Sequence, residues 1–231
     1  MSEPKTKLTE LLIIGAVVGI TALVLLLSFK TEASYTYEAN QALIDLTNTT
    51  GTTSLAASDD GVSNAFALGF TFDYYGQEFT QARVATNGCL HFKTSGVFCS
   101  DFTPDPISGQ HTYTMYPFWT DLIRDNGSSV LAKSYSDKTV FGWYDMKEYG
   151  RNNTNNSFEV ILWGNDTFEY RYGVLDIEKH DVLIGEIGGS NSEKYQYFFH
   201  DQCSTGTTNL SDCVSSTWNN ADINTTLENG G

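Results

Sequence analysis

The chain has 231 residues, with 13 Lys and Arg against 28 Asp and Glu, which gives a formal net charge of −15 and a pI near 4.4. That acidity argues against a nucleic-acid partner, because a polyanion would be repelled. Hydrophobic residues make up 40%, so the chain supports a packed core and is not wholly disordered, and its length suits one domain with an appendage.

The charge is unevenly placed. In the first 32 residues Lys5, Lys7 and Lys30 balance Glu3, Glu10 and Glu32, so the net negative charge lies beyond them. Leu11 to Phe29 reads LLIIGAVVGITALVLLLSF, 19 residues without a charge. As a helix this run spans about 28 Å, close to the hydrocarbon core of a bilayer. A cleaved signal peptide is the rival reading, but its apolar region is usually shorter and ends in a small-x-small site, which LLLSFKTEA lacks. The expectation is a cytoplasmic leader over 1–10, an uncleaved transmembrane helix over 11–29, and the rest of the chain outside a cell or virion membrane. Gly15 and Gly19 form a GxxxG pair that permits close helix–helix approach, and so homo-oligomerisation through this helix. The segment is also similar to the start of type IV pilins, with Glu10 in an apolar context. The small residue expected before a cleavage point is absent, however, and Glu10 is at the wrong offset for cleavage after Lys7.

Residues 30–58 read as a stalk and first strand, rich in Ser, Thr, Asn and Ala. From Phe66 onward short apolar or aromatic runs alternate with turn residues. Ala67–Tyr74, Ala82–Thr86, Leu90–Lys93, Thr139–Tyr144, Ser157–Leu162, Thr167–Tyr172 and Val182–Ile187 read as strands. Within Phe158–Leu162 and Thr167–Tyr172 polar and apolar residues largely alternate, as they do when one face of a sheet is buried. Tyr75-Gly76, Asn87-Gly88, Asp125-Asn126-Gly127 and Trp163-Gly164-Asn165-Asp166 break the runs, the last as a hairpin turn. No long stretch beyond residue 32 has helical period. The expected fold is all-β: an antiparallel β-sandwich over 59–202, preceded by one transmembrane helix and followed by a tail over 203–231.

Four cysteines follow the apolar segment. Cys89 and Cys99 are ten apart, as are Cys203 and Cys213. Of three possible connectivities, the two local pairings are the simplest, and they suit an oxidising compartment. A zinc site is the alternative, but CxxC spacing is missing and His91, His111, His180 and His200 are scattered. N-x-S/T triplets at Asn48, Asn126, Asn152, Asn155, Asn165, Asn209 and Asn224 are glycosylation candidates, although an Asn/Thr-rich sequence also produces such triplets by chance. Asp101…Asp105 and Asp121…Asp125 offer oxygen ligands of the kind Ca²⁺ takes, without an EF-hand or RTX pattern; acidic solvated loops are the simpler reading. No other cofactor is expected. Nucleophile-elbow, HExxH, P-loop and Rossmann patterns are absent, so no catalytic residue is assigned. A glycosidase-type carboxylate pair would be visible only in geometry.

The segment from Asp59 to His200 resembles the nidogen-like (NIDO) extracellular domain. The resemblance runs through Asp59-Asp60-Gly61, the strand ending in Tyr74-Tyr75-Gly76, and Thr86-Asn87-Gly88-Cys89-Leu90-His91-Phe92. It continues in Tyr116-Pro117-Phe118-Trp119-Thr120-Asp121-Leu122, in Trp143, and in the hairpin from Phe158 to Gly173. These motif residues, Tyr75, Gly76, Asn87, Gly88, Pro117, Phe118, Trp119 and Asp121 among them, have structural readings first. Gly closes turns, Phe118 and Trp119 bury apolar area, and Asp121 caps a turn or accepts backbone hydrogen bonds. The resemblance implies extracellular adhesion without catalysis. The expected function is a membrane-anchored recognition module that binds an extracellular protein or glycan. The alternative is a structural subunit of a filament, envelope or virion assembled through the amino-terminal helix.

Overall fold

A computed structural model describes residues 41–55, 58–95, 99 and 101–200. The apolar segment 11–29 with Gly15 and Gly19 lies outside the described residues. So do Cys203, Cys213, Asn209 and Asn224. Among the described residues no helix is long and apolar enough to cross a membrane.

The described chain forms strands β1 (Thr53–Ser54), β2 (Phe66–Tyr74), β3 (Gln77–Ala85), β4 (Cys89–His91), β5 (Thr114–Trp119) and β6 (Leu122–Ile123). They continue with β7 (Ser129–Ser134), β8 (Lys138–Glu148), β9 (Asn156–Trp163), β10 (Phe168–Tyr172), β11 (Val182–Ile187) and β12 (Lys194–His200). Sheet 1 has the order β1-β7-β8-β9-β10, with β6 added alongside β8. Sheet 2 has the order β12-β11-β5-β4-β3-β2. All the named pairings are antiparallel. The two layers form the expected sandwich. Strands β5, β6, β7 and β12 fall outside the runs read as strands from the sequence, and β3 begins at Gln77 rather than Ala82. Ser-Val-Leu-Ala-Lys-Ser and Gln-Glu-Phe-Thr-Gln have weak local strand preference, and pairing with β8 and β2 decides their conformation.

The turns follow the chemistry of their residues. Tyr75 and Gly76 both have positive φ (53° and 75°), as a tight β2–β3 hairpin demands. In β2 the buried residues Leu68, Phe72 and Tyr74 alternate with exposed ones, so its inner face is the apolar one. The inner faces meet in a core that includes Phe72, Val84, Leu90, Phe118, Trp143, Phe158 and Ile184. Trp143 stacks on Phe158 at 4.9 Å and reaches across the layers, its Nε1–H donating to the Ala85 carbonyl at 2.9 Å.

Parts of the outer faces are covered too. The alternation in Phe158–Leu162 predicts one buried face, yet Glu159 and Ile161 are as buried as Phe158 and Val160. The cover over sheet 1 is segment 41–55, read from sequence as the end of a stalk and a first strand. Its Leu46 is fully buried with Val140, Tyr144 and Ile161. On sheet 2 the cover is the chain between β4 and β5, whose Cys99 and Ile107 pack with Cys89, Tyr116, Trp119 and Leu183. Strand β8 changes register between Trp143 and Met146, where Asp145 has φ +54°. This bulge bends the strand end and brings Glu148 opposite Leu122 of β6.

Candidate functional site

Several motifs that are far apart in the sequence meet around one buried side chain, Asn87. Its Nδ2 donates to Asp60 Oδ1 at 2.7 Å and to the Asp101 carbonyl at 3.0 Å. Its Oδ1 accepts from Leu122 N at 2.8 Å, and its carbonyl accepts from Thr120 N at 3.1 Å. The Asp59-Asp60-Gly61 turn, the β3–β4 turn, the β4–β5 excursion and the β5–β6 link are thereby joined. An amide suits the position because it donates and accepts at once; an aspartate would supply no donor.

The neighbouring Gly88 has φ +85°, and a Cβ there would lie 2.0 Å from the Phe118 carbonyl oxygen. Trp119, also buried, donates from Nε1 to the same Asp101 carbonyl at 3.1 Å. Asp101 follows Cys99, which is disulfide-bonded to Cys89 with Cα atoms 6.3 Å apart. Beside the disulfide, His91 is buried and accepts on Nε2 from Cys99 N at 3.1 Å, so its proton is on Nδ1, facing Thr114 Oγ1 at 2.9 Å. Burial, and then His111 nearby, push the His91 imidazole down to about 3. Loop entropy gives this cross-link a worth of about 2–3 kcal/mol. Urea unfolding of the Cys89→Ala/Cys99→Ala double variant is expected to show a loss of that size, with the sandwich retained.

Asp121 adjoins the hub but does not cap a turn through its carboxylate. Its carbonyl accepts from Tyr149 N at 2.9 Å, while its Oδ2 faces His180 Nε2 at 3.3 Å. The other ring nitrogen, Nδ1, donates to Glu148 Oε1 at 2.8 Å. Glu148 is fully buried and also accepts from the backbone N–H groups of Glu178, Lys179 and His180, each at 2.8 Å. Burial acts to raise the Glu148 carboxyl, but the His180 side chain and these backbone donors outweigh it and hold it below the usual carboxylate range. Asp121 is pushed up to about 6. Burial acts first, against the attraction of His180, and the carboxylates of Asp60 and Asp59 add to it.

Glu148 and His180 carry no sequence signal. They belong to no motif, and only the β8 bulge and the β10–β11 loop bring them to Asp121. Around this hub Asp59, Asp60, Glu178 and Lys179 are exposed, and the Tyr149 side chain is 47% exposed. On the other side of Asp101 a small recess, partly open to solvent, is lined by Asp101, Asp105, Ile107, His111, Tyr116 and Trp119.

The remaining sequence candidates are placed elsewhere in the fold. Pro117 lies within β5, and its carbonyl accepts from the Tyr172 hydroxyl at 2.8 Å. The Tyr75 hydroxyl donates to Glu186 at 3.1 Å. Asn48, Asn126, Asn152 and Asn165 are exposed, whereas Asn155 is half-buried. All five lie on or between elements of sheet 1 or its cover. Among the described residues no group of three or more His, Cys, Asp or Glu is arranged to hold a metal.

A family model described as NIDO related matches residues 32–231. Neither a curated protein nor a solved structure matches the chain. The match spans the Asp60, Asn87, Trp119 and Asp121 motifs and the strands that carry them, and on it the chain belongs to the NIDO-related family.

Proposed function

We propose that the protein is a non-catalytic adhesion or recognition module, held at a cell or virion surface by residues 11–29, whose head binds an extracellular protein or glycan through the loop end around Asn87. One observation supports this reading above the others. Residues from the Asp59-Asp60-Gly61, Asn87-Gly88 and Trp119–Leu122 motifs are joined by buried and part-buried hydrogen bonds at one place, and exposed groups stand on that place. Rigid support beneath exposed loops is what a contact surface needs, because little ordering entropy is then lost on binding. Tyr149, whose N–H donates to the Asp121 carbonyl, supplies a large amphipathic ring, and Asp59, Asp60 and Lys179 supply exposed charges near the Asp121 carboxylate. Aromatic and charged side chains of this kind anchor protein contacts and stack on sugar rings.

The carboxylates at the hub are occupied by hydrogen bonds and by His180, which suits a structural role better than acid–base chemistry. The test is a screen of the fragment from Ala33 onward on glycan and extracellular-protein arrays. Saturable binding to one class is expected. Turnover of an arrayed substrate, or no saturable binding on either array, would contradict the proposal.

A further inference from the structure

We propose that segment 41–52 is a proton-operated latch. It is clamped on the outer face of sheet 1 while the Glu159–Tyr144 pair holds one extra proton, and it loosens when that proton leaves.

Hydrogens are too few for the acceptors around Tyr144 unless the pair holds one more. The Tyr144 hydroxyl carries one. It faces two acceptors, the Ile44 carbonyl at 2.8 Å and Glu159 Oε1 at 2.5 Å. The same oxygen accepts from Leu46 N at 3.4 Å, and Glu159 Oε2 accepts from Ile44 N at 2.9 Å. With Glu159 ionised, Tyr144 satisfies one acceptor, and an oxygen is left facing an oxygen at the other. With a proton on Oε1, Glu159 donates to Tyr144, Tyr144 donates to Ile44, and every group in the chain of bonds is satisfied. The bond that the extra proton completes, from the Tyr144 hydroxyl to the Ile44 carbonyl, ends on the main chain of the latch itself, between the two residues whose N–H groups donate to the pair in either state.

Other groups around the pair act in both directions. Tyr144 comes from β8, Tyr135 from the β7–β8 turn, Arg171 from β10 and Asp45 from the latch. Burial pushes the Glu159 carboxyl up to about 7, and Asp45 adds to this. The hydrogen bonds from Tyr144 and Ile44, and the charge of Arg171, work against it. The folded value lies above the ordinary 4.5, so the clamp is complete below about pH 4.5 and is lost as pH rises through about 7.

Among the described residues the latch makes no ladder pairs before Thr53, which pairs with Ala132. Further holds on it include buried Leu46, half-buried Leu43 and Ile44, and bonds from Arg171 to Ala42 O and from Lys133 to Thr50 O. Fully extended, residues 41–52 would add about 40 Å of reach between the head and whatever precedes it. That consequence rests on the proposed anchor; the latch itself rests on the geometry of the head alone.

Amide hydrogen exchange of the full chain in detergent micelles tests it, read at pH 5.5 and pH 8.5 and corrected for intrinsic rates. Protection of the Ile44 and Leu46 amides is expected to fall by about tenfold or more at the higher pH, while Val160 in the core is unchanged. Glu159→Gln, which donates and accepts as the protonated carboxyl does, should hold protection within about twofold across the range. Tyr144→Phe should weaken it at both values. Wild-type protection at Ile44 and Leu46 that is independent of pH, or that falls in step with Val160, would overturn the latch and leave the recognition reading untouched. A failed array screen leaves the latch untouched in turn.

Discussion

Gly88→Ala is expected to cost about 4 kcal/mol or more and to lower Tm by roughly 10 °C or beyond, if the protein folds at all. Two effects combine. Gly88 has φ +85°, a region that a Cβ penalises by about 1–2 kcal/mol. The added methyl would also lie 2.0 Å from the Phe118 carbonyl oxygen and 3.1 Å from Phe158 Cζ. That oxygen is main chain of a central strand, so relief requires β5 to move against β11 and β4, which pair with it. Phe118 and Phe158 also lie 5.3 Å apart, ring to ring, in the core, and the shift would open that contact. Gly76→Ala is the control. Gly76 has φ +75° but nothing within 4 Å of its would-be Cβ, so about 1 kcal/mol is expected there. Urea unfolding of both variants separates the two effects. Equal losses would show that the approach of the β3–β4 turn to β5 is not what requires glycine.

Glu148→Gln is expected to destabilise by about 3 kcal/mol. The carboxylate accepts three backbone N–H groups and the His180 ring, and an amide in its place turns a donor toward other donors. His180 loses the negative partner on Nδ1, and the 178–180 loop loses the group around which it folds. The pH dependence carries the sign. A carboxyl held below its ordinary 4.5 in the folded protein contributes stability above that pH, and the contribution is lost as pH falls through the folded value. Unfolding free energies measured from pH 6 down to pH 2.5 should therefore drop steeply below pH 4.5 in the wild type. Glu148→Gln should start lower and drop less. Parallel curves would show that Glu148 is not the group responsible.

The fold was legible where local chemistry and tertiary structure agree. Val182–Ile187 is apolar but for Glu186 and coincides with β11, and the run Ala67–Tyr74 covers most of β2. Tyr75-Gly76 breaks the runs because both residues adopt positive φ. The site was half legible. Asn87, Trp119 and Asp121 stood out through the family resemblance, but which groups they face depends on β6 pairing with the bulged end of β8. Glu148 and His180 are two among 28 acidic residues and four histidines, and no spacing marks them. Glu159 was misleading in a useful way. In an alternating strand a glutamate signals the wet face, and here segment 41–55 covers that face and dries it. Composition rich in Ser, Thr and Asn gave the segment the look of a stalk, whereas Leu43, Ile44 and Leu46 suffice to seat it on the sheet.

The proposed contact surface of the head is the loop end supported by Asn87. Equilibrium binding to whichever array ligand is captured tests it most directly, with Tyr149→Ala and Lys179→Ala compared against Tyr195→Ala. Tyr195 is exposed on β12 and takes no part in the hub, which makes it the control for an aromatic lost from elsewhere on the surface. A loss of about tenfold or more is expected for the first two, at unchanged Tm, and less than about twofold for the third. Wild-type affinity in both loop-end variants, with binding abolished by Tyr195→Ala, would contradict it.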